Sequence, residues 1–569
     1  MATIVVQPGG RVSRGRVTVT AIAHNRLMLI LILFLAITAG LIARLLWVGV
    51  FAVSARDVDP ASAFVPIRSD IVDRNGVTMA RTMDAYSIAV RPSKLIGEPA
   101  EIARKLHEIF PDQPEADFYK KLTGKGWAYL RRRALPEEVA AVNALGEIGI
   151  EFPREKERLY PQRSLGAHVL GFAPNSDGDG GMGVEAAFNS RLIDPALRSQ
   201  PFALSIDSRV QGVLESELYR GLMEQNAKGA GGIVLDVETG EVIAMASLPT
   251  FDPNKLQNYG NKACGESPIC NQIVQSRYEL GSTFKPISIG KAMDVGVVTS
   301  MSKRYDATEP LQIAGFRIKD DHPARRWLNV PETLAHSSNI ATARIADEMG
   351  AAPMQDIFRK LHFDQRSPIE LNERAGTLWP VHWGRITTMT TSYGHGIAVT
   401  PLHLACAYAA LVNGGMWRPA TLRKLKPSEV PAGERVYSER TSAQMRALLR
   451  LIVAEGTGRS ANAIGYRVGG KTGSAEKAAG GGYNKSSLVT TFASAFPMDH
   501  PRYVVLTMMD EPKGNAKTFG LRTAAWTAAP VVRRVIERTG PMLGILPDQT
   551  HDADIALLKP LLWKAKGEE

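Results

Sequence analysis

The chain has 569 residues, of which 44% are hydrophobic and 22% charged, and it carries a formal charge of +11. That length exceeds a single hydrophobic core and predicts about three or four units, while ordinary globular composition without an internal repeat excludes a disordered, low-complexity or solenoid protein. No nucleic-acid motif and no strong basic run accompany the positive charge, which therefore fits an anionic envelope or membrane surface better than DNA or RNA.

The first predicted element is a membrane span. Leu27 to Ala43 reads LMLILILFLAITAGLIA without a charge, roughly 25 Å as a helix, at the short end for a bilayer. Arg44 can snorkel, and LLWVGVFAV extends the apolar stretch to Val53. Arg11, Arg14, Arg16 and Arg26 precede the span, so the positive-inside rule leaves residues 1–26 in the cytoplasm and everything after 27–53 outside. A cleaved signal peptide is the alternative, but its apolar region is shorter and ends in a cleavage site that this segment lacks.

Residues 54–200 mix short strand-like runs with charged helical ones. RSDIVDRNGVTMA, Arg68 to Ala80, predicts strand, Asn-Gly turn and strand. LPEEVAAVNAL, Leu135 to Leu145, has helical periodicity behind a proline. No nucleophile constellation occurs here, so a structural or docking role is expected.

The texture changes near 201. SIDSRVQGVLESELYRGL is a helix behind a capping Asp207, and GGIVLDVETGEVIAMAS is a hairpin turning at Glu238, Thr239 and Gly240. Cys264 and Cys270 flank a short loop, where a bridge and two unpaired thiols both fit the spacing. YELGSTFKPISIG follows, with Ser282 three residues before Lys285 and proline after the lysine. A helix through Pro286 must begin near Ser282, which puts hydroxyl and amine on one face at an electropositive N-terminus. That arrangement is a candidate nucleophile and base, although the spacing alone also arises by chance.

In HSSNIATARIADEMG, Ser337, Ser338 and Asn339 fall between two helical runs, where hydroxyl and amide groups project sideways or merely cap the turn. His395, between two glycines in GHG, reads as a structural corner, and Cys406 in PLHLACAYAALV as a buried helix residue. VGGKTGSAEK places Lys471, Thr472 and Gly473 at the end of a strand-like stretch. Its glycines allow close approach of backbone or ligand; Lys471, with the Thr472 and Ser474 hydroxyls, could hold a carboxylate. EKAAGGGYNKSS, Glu476 to Ser487, predicts a mobile loop beside it, with substrate gating as a hypothesis. LVTTFASAF and YVVLTMM are late strands, TAAPVVRRVIERTG is an amphipathic helix, and residues 541–569 receive no clear assignment. Strands from both ends of the 201–540 region with helices between them predict an α+β domain, an antiparallel sheet covered by helices. No Cys/His cluster has metal-ligand spacing, so neither a metal nor a cofactor is expected.

Ser-x-x-Lys, Ser-x-Asn and Lys-Thr-Gly, in this order, form the signature of penicillin-binding proteins and serine β-lactamases. RSDIVDRNG, ERLYPQRSLGAHVLGF, GMGVEAAF, GHGIAVTPL and GGKTGSA also resemble class B penicillin-binding proteins, over nearly everything from about residue 60 to 535. The length and IKDDHPARRWLNVPETLAHSSNIATARIA are most similar to the division branch of Gram-negative bacteria, with the elongation branch as close competitor. Leu280 stands where the family often has proline, and Ser474 where threonine is common.

The resemblance implies a single inner-membrane anchor, a pedestal over 54–200 and a periplasmic transpeptidase domain over 201–540. Ser282 would attack the penultimate D-Ala carbonyl of a stem peptide, with Lys285 as base and Ser337 and Asn339 as proton relay and orienting groups. Amides of Ser282 and Ser474 would form the oxyanion hole, and Lys471, Thr472 and Ser474, beside Gly473, would bind the substrate carboxylate. An amine of a neighbouring stem peptide would resolve the acyl-enzyme, and β-lactams would acylate the same serine. A polytopic membrane glycosyltransferase and other division proteins are the implied partners. A D,D-carboxypeptidase or tethered β-lactamase and a β-lactam sensor or scaffold are the competing functions. The pedestal, and the lack of a β-lactamase-type deacylation motif, weigh against the hydrolases. The short N-terminal tail weighs against the sensor.

Overall fold

The computed structural model describes residues 14–47, 67–174, 180–256, 264, 267–313, 315–479 and 482–563. Two compact units divide the chain, residues 1–66 and residues 67–569. Among its described residues the first contains one helix, α1 (Arg14–Trp47). Within it His24–Leu46 has a mean hydropathy of 2.6 and none of that window is buried, so the helix is long and apolar enough to cross a membrane. It begins well before Leu27 because no proline or glycine interrupts Val17 to Arg26. Residues 48–53 of the expected span lie outside the described residues.

The second unit opens with β1 (Ile71–Val72), which pairs antiparallel with β2 (Thr78–Val90) across the predicted turn. Asp73 shapes that turn by accepting the amides of Asn75 and Val77, both at 2.8 Å. The helices α2 (Pro99–Ile109) and α3 (Glu115–Leu122) follow, then β3 (Ala128–Ala134), antiparallel to β2, and α4 (Pro136–Asn143). Ile88, Leu106, Phe110, Phe118 and Leu122 give this layer its own core. β1 also pairs in parallel with β4 (Phe202–Ala203). Within the same layer Glu185 is fully buried between Arg68 at 2.6 Å and Arg158 at 2.7 Å.

The catalytic region then runs α5 (Ser208–Glu224), β5 (Gly229–Asp236), β6 (Val242–Leu248), α6 (Lys285–Asp294), α7 (Val330–Ala335), α8 (Asn339–Met349) and α9 (Pro401–Val412). It closes with α10 (Glu439–Glu455), β7 (Gly469–Ala479), β8 (Gly482–Phe496), β9 (Tyr503–Asp510) and α11 (Ala528–Thr539). Five strands form one antiparallel sheet in the order β7-β8-β9-β5-β6. Val210, Leu214 and Leu218 of α5 and Val531, Val532 and Val535 of α11 cover one face. α9, apolar all round and buried along its whole length, sits in the larger core of the helical layer.

Two expectations change, and one open alternative is decided. The Lys471–Gly473 motif opens β7 instead of ending a strand. Within the stretch Glu476–Ser487, residues 476–479 and 482–487 are strand where a loop is expected: β7 and β8 pair Lys477 with Asn484 and Ala479 with Gly482 after a register shift at Glu476/Lys477. Lys477 ties this extension to the sheet through Asp510 at 2.5 Å and Glu511 at 3.1 Å; residues 480–481 lie outside the described residues. Cys264 and Cys270 form a disulfide with Cα atoms 5.3 Å apart, which decides between the two readings of that pair.

Residues 541–563, unassigned from sequence, form a strap over the helical layer. Asp552 receives a bidentate pair from Arg450, with both contacts at 2.7 Å. Further on, Asn329 donates to the Leu561 carbonyl at 2.6 Å and the Trp563 amide to Glu332 at 3.0 Å. The strap thus ends on the N-cap of α7, the helix that leads into Ser337.

Candidate active site

Ser282 lies in a single 3-10 turn, Gly281–Phe284, and α6 starts at Lys285 with Pro286 in its first turn. Proline there costs nothing in lost hydrogen bonds, because that amide is unpaired at any helix start. The turn is held on three sides. Phe284 packs against Phe358 and Phe363 with ring centroids 5.6 and 5.5 Å away. Tyr408 of α9 donates to the Thr283 carbonyl at 2.9 Å. Gly394 sits at φ +83° with room only for hydrogen, since a Cβ would lie 2.3 Å from the Gly281 carbonyl oxygen.

Lys285 is fully buried, and its ammonium donates to the Ser337 carbonyl and, at 3.1 Å, to the Ser337 hydroxyl. Ser337 occupies the junction of α7 and α8 as predicted, in the left-handed region at φ +61°, a conformation that costs a serine about 1–3 kcal/mol. Ser338 caps α8 by accepting the Ala341 amide at 3.0 Å. Asp320, almost fully buried, accepts the Ser338 hydroxyl at 2.7 Å and the Ile340 amide at 2.9 Å. Asn339 is half-buried and donates to the Lys319 carbonyl at 3.0 Å. Two hydrogen bonds to one carboxylate therefore hold the strained turn that faces Lys285.

Edge strand β7 closes the other side. Gly473 approaches the nucleophile turn so closely that a Cβ would lie 2.4 Å from the Leu280 carbonyl oxygen. Lys471 is fully buried and donates to its neighbour's Thr472 hydroxyl at 3.1 Å. The Ser474 hydroxyl accepts the Ala524 amide at 3.1 Å, leaving its backbone on the side of Gly281.

Burial sets the electrostatics. Desolvation pulls the Lys285 ammonium down to about 7 against the opposing pull of Asp320 and Asp321. Lys471 is pushed well below the ordinary lysine range by burial and then by Lys285 itself. An amine that is neutral near pH 7, beside a serine on a helix start, can take the hydroxyl proton during nucleophilic attack.

The structure sets Ser337 against Lys285, and Gly473 and Ser474 against the turn of Ser282, with Lys471 and Thr472 on the same strand and Asn339 beside Ser337. His395 lies 3.4 Å from Glu279 at the corner behind the nucleophile turn. Asp320 was not singled out in the sequence. IKDDHP offered an acidic pair before the Ser-Ser-Asn junction, but only the fold shows which carboxylate turns inward. Among the described residues, no group of three His, Cys, Asp or Glu side chains is placed to hold a metal ion.

Residues 230–537 match the penicillin-binding protein transpeptidase domain and residues 64–192 the penicillin-binding protein dimerisation domain. The probable peptidoglycan D,D-transpeptidase FtsI of Caulobacter vibrioides is 39% identical over 513 residues, 88% of this chain and 85% of that protein. The peptidoglycan D,D-transpeptidase FtsI of Escherichia coli is 29% identical, covering 86% of this chain and 85% of its own length. A crystal structure of penicillin-binding protein 3 from Mycobacterium tuberculosis, complexed with aztreonam, shares the fold with a TM-score of 0.65 at 23% identity, over 86% of this chain and 99% of that one.

Proposed function

The chain belongs to the penicillin-binding protein family that joins a transpeptidase domain to a dimerisation domain, and from that premise we propose that it cross-links peptidoglycan at the division septum as a D,D-transpeptidase. The observation that carries this reading is the buried Lys285, depressed to about 7 and hydrogen-bonded to Ser337, on the helix start that presents Ser282. Ser282 Oγ attacks the penultimate D-Ala carbonyl of a donor stem peptide as Lys285 accepts its proton. Backbone amides of Ser282 and Ser474 receive the oxyanion. The proton returns to the leaving terminal D-Ala through Lys285 and Ser337. Asn339 orients the substrate amide, and Lys471, Thr472 and Ser474 hold the carboxylate. An amine of a neighbouring stem peptide then attacks the ester and regenerates Ser282. A β-lactam acylates Ser282 by the same first step and is cleared slowly by water.

The anchor helix and the arginines before it support a periplasmic catalytic domain above a short cytoplasmic tail. We assign residues 54–200 to the pedestal and 201–540 to catalysis, with a polytopic membrane glycosyltransferase and other division proteins as partners. Depletion of the protein with complementation by Ser282→Ala tests the cellular role. Filamentous cells are expected. Rounded cells would assign the enzyme to elongation, and normal division on Ser282→Ala would remove the catalytic reading.

A further inference from the structure

Thr457, just beyond the end of α10, bridges the Lys-Thr-Gly motif and the end of α7, the helix that leads into Ser337. Its amide donates to the Ala335 carbonyl at 3.3 Å, at the last residue of α7 and two before Ser337. Its hydroxyl accepts from the Thr472 hydroxyl at 3.3 Å, and Thr472 in turn accepts from Lys471 at 3.1 Å. The preceding Gly456 makes the approach possible, because a Cβ there would lie 3.0 Å from the Ala335 carbonyl oxygen. Thr457 itself is half-buried, so its hydroxyl remains reachable.

These contacts constrain the protons. Thr472 Oγ1 spends its single proton on Thr457, which leaves the Thr457 proton to be directed elsewhere. Two hydroxyl oxygens side by side can also turn both protons onto the two oxygens of one carboxylate, with Thr472 still accepting from Lys471. We propose that Thr457 is a third side chain of the carboxylate subsite, donating to the terminal carboxylate of the donor peptide or the ring carboxylate of a penicillin. The inference rests on the transpeptidase reading and extends its binding site to a residue outside the three motifs.

The test compares benzylpenicillin with its methyl ester, which lacks the charge, in acylation of the wild-type protein, Thr457→Val and Thr457→Ser. Thr457→Val removes the hydroxyl at nearly constant shape. It is expected to slow acylation by the acid about tenfold and by the ester less than about twofold, as loss of one donor to a charged group requires. Thr457→Ser is expected to restore the acid rate to within about threefold while melting temperatures stay unchanged. Equal losses for acid and ester, no loss at all, or a serine variant as slow as valine would overturn the proposal. A wild-type protein that neither compound acylates would overturn the transpeptidase reading itself, and the subsite with it.

Discussion

Because Lys285 is fully buried and its ammonium falls to about 7, the acylation rate should follow the neutral fraction of this one amine. Below pH 7 the lysine is protonated and has no lone pair for the Ser282 proton, so the rate is expected to fall about tenfold per pH unit and to level off above about 8. Stopped-flow acylation by a chromogenic β-lactam across pH 5.5 to 9 checks this, and a flat profile would exclude Lys285 as the base. Stability carries the same sign. A lysine whose folded value is depressed from 10.5 to about 7 binds fewer protons folded than unfolded in that window, so its destabilising effect is complete below 7 and is relieved as pH rises towards 10.5. Lys471 shifts in the same direction. Asp320 opposes the effect on Lys285 and also holds the Ser338 hydroxyl and the Ile340 amide. Asp320→Ala should therefore cost about 1–3 kcal/mol in denaturant unfolding, from two buried partners left without an acceptor.

Between elements, the site depends on how closely edge strand β7 meets the nucleophile turn. Gly473→Ala places a methyl 2.4 Å from the Leu280 carbonyl oxygen, so strand and turn must separate. Acylation is expected to drop at least about 100-fold, a misplacement effect, while the thermal midpoint changes little; unimpaired labelling of that variant would show that the contact is dispensable. The strap acts from further away. Asp552→Ala removes the carboxylate from an Arg450 that is itself almost fully buried, and should lower stability by about 1–3 kcal/mol because a charged hydrogen-bonding group loses its partner. Thermal denaturation reads this directly. Much of this architecture was legible in the sequence. The β5–β6 hairpin, the Asp207 cap, the uniformly apolar α9 and the Ser337 junction are local patterns of period, capping and turn chemistry. What escaped was non-local. Strap contacts such as Asn329 to Leu561 join positions 232 residues apart, and Thr457 stands in an ordinary EGTGRS turn with no periodicity to mark it. The run Glu476–Ser487 misled because its glycines and polar residues resemble a loop, while the pairing with β8 and the Lys477 ion pairs extend the ladder through it.

At the scale of the molecule, an apolar helix, a layer with its own core that matches the dimerisation domain and an α+β region that matches the transpeptidase domain share one chain but contribute differently. The proposed chemistry lies where β7 meets the turn of Ser282. Within the N-terminal layer of the second unit, the Glu185 carboxylate is flanked by two arginines with little exposure, Arg68 and Arg158. Its removal would leave two buried cations unpaired, a loss in the range of about 3–5 kcal/mol, so Glu185→Ala is expected to destabilise this layer; faster proteolysis near residues 180–200 would report it. All of these expectations presuppose that Ser282 accepts the acyl group. Incubation of the purified protein with benzylpenicillin, followed by intact mass and peptide mapping, tests that most directly. A single adduct on the peptide containing Ser282, absent from Ser282→Ala, is the predicted result; an adduct that persists in the alanine variant, or none on the wild-type chain, would contradict it.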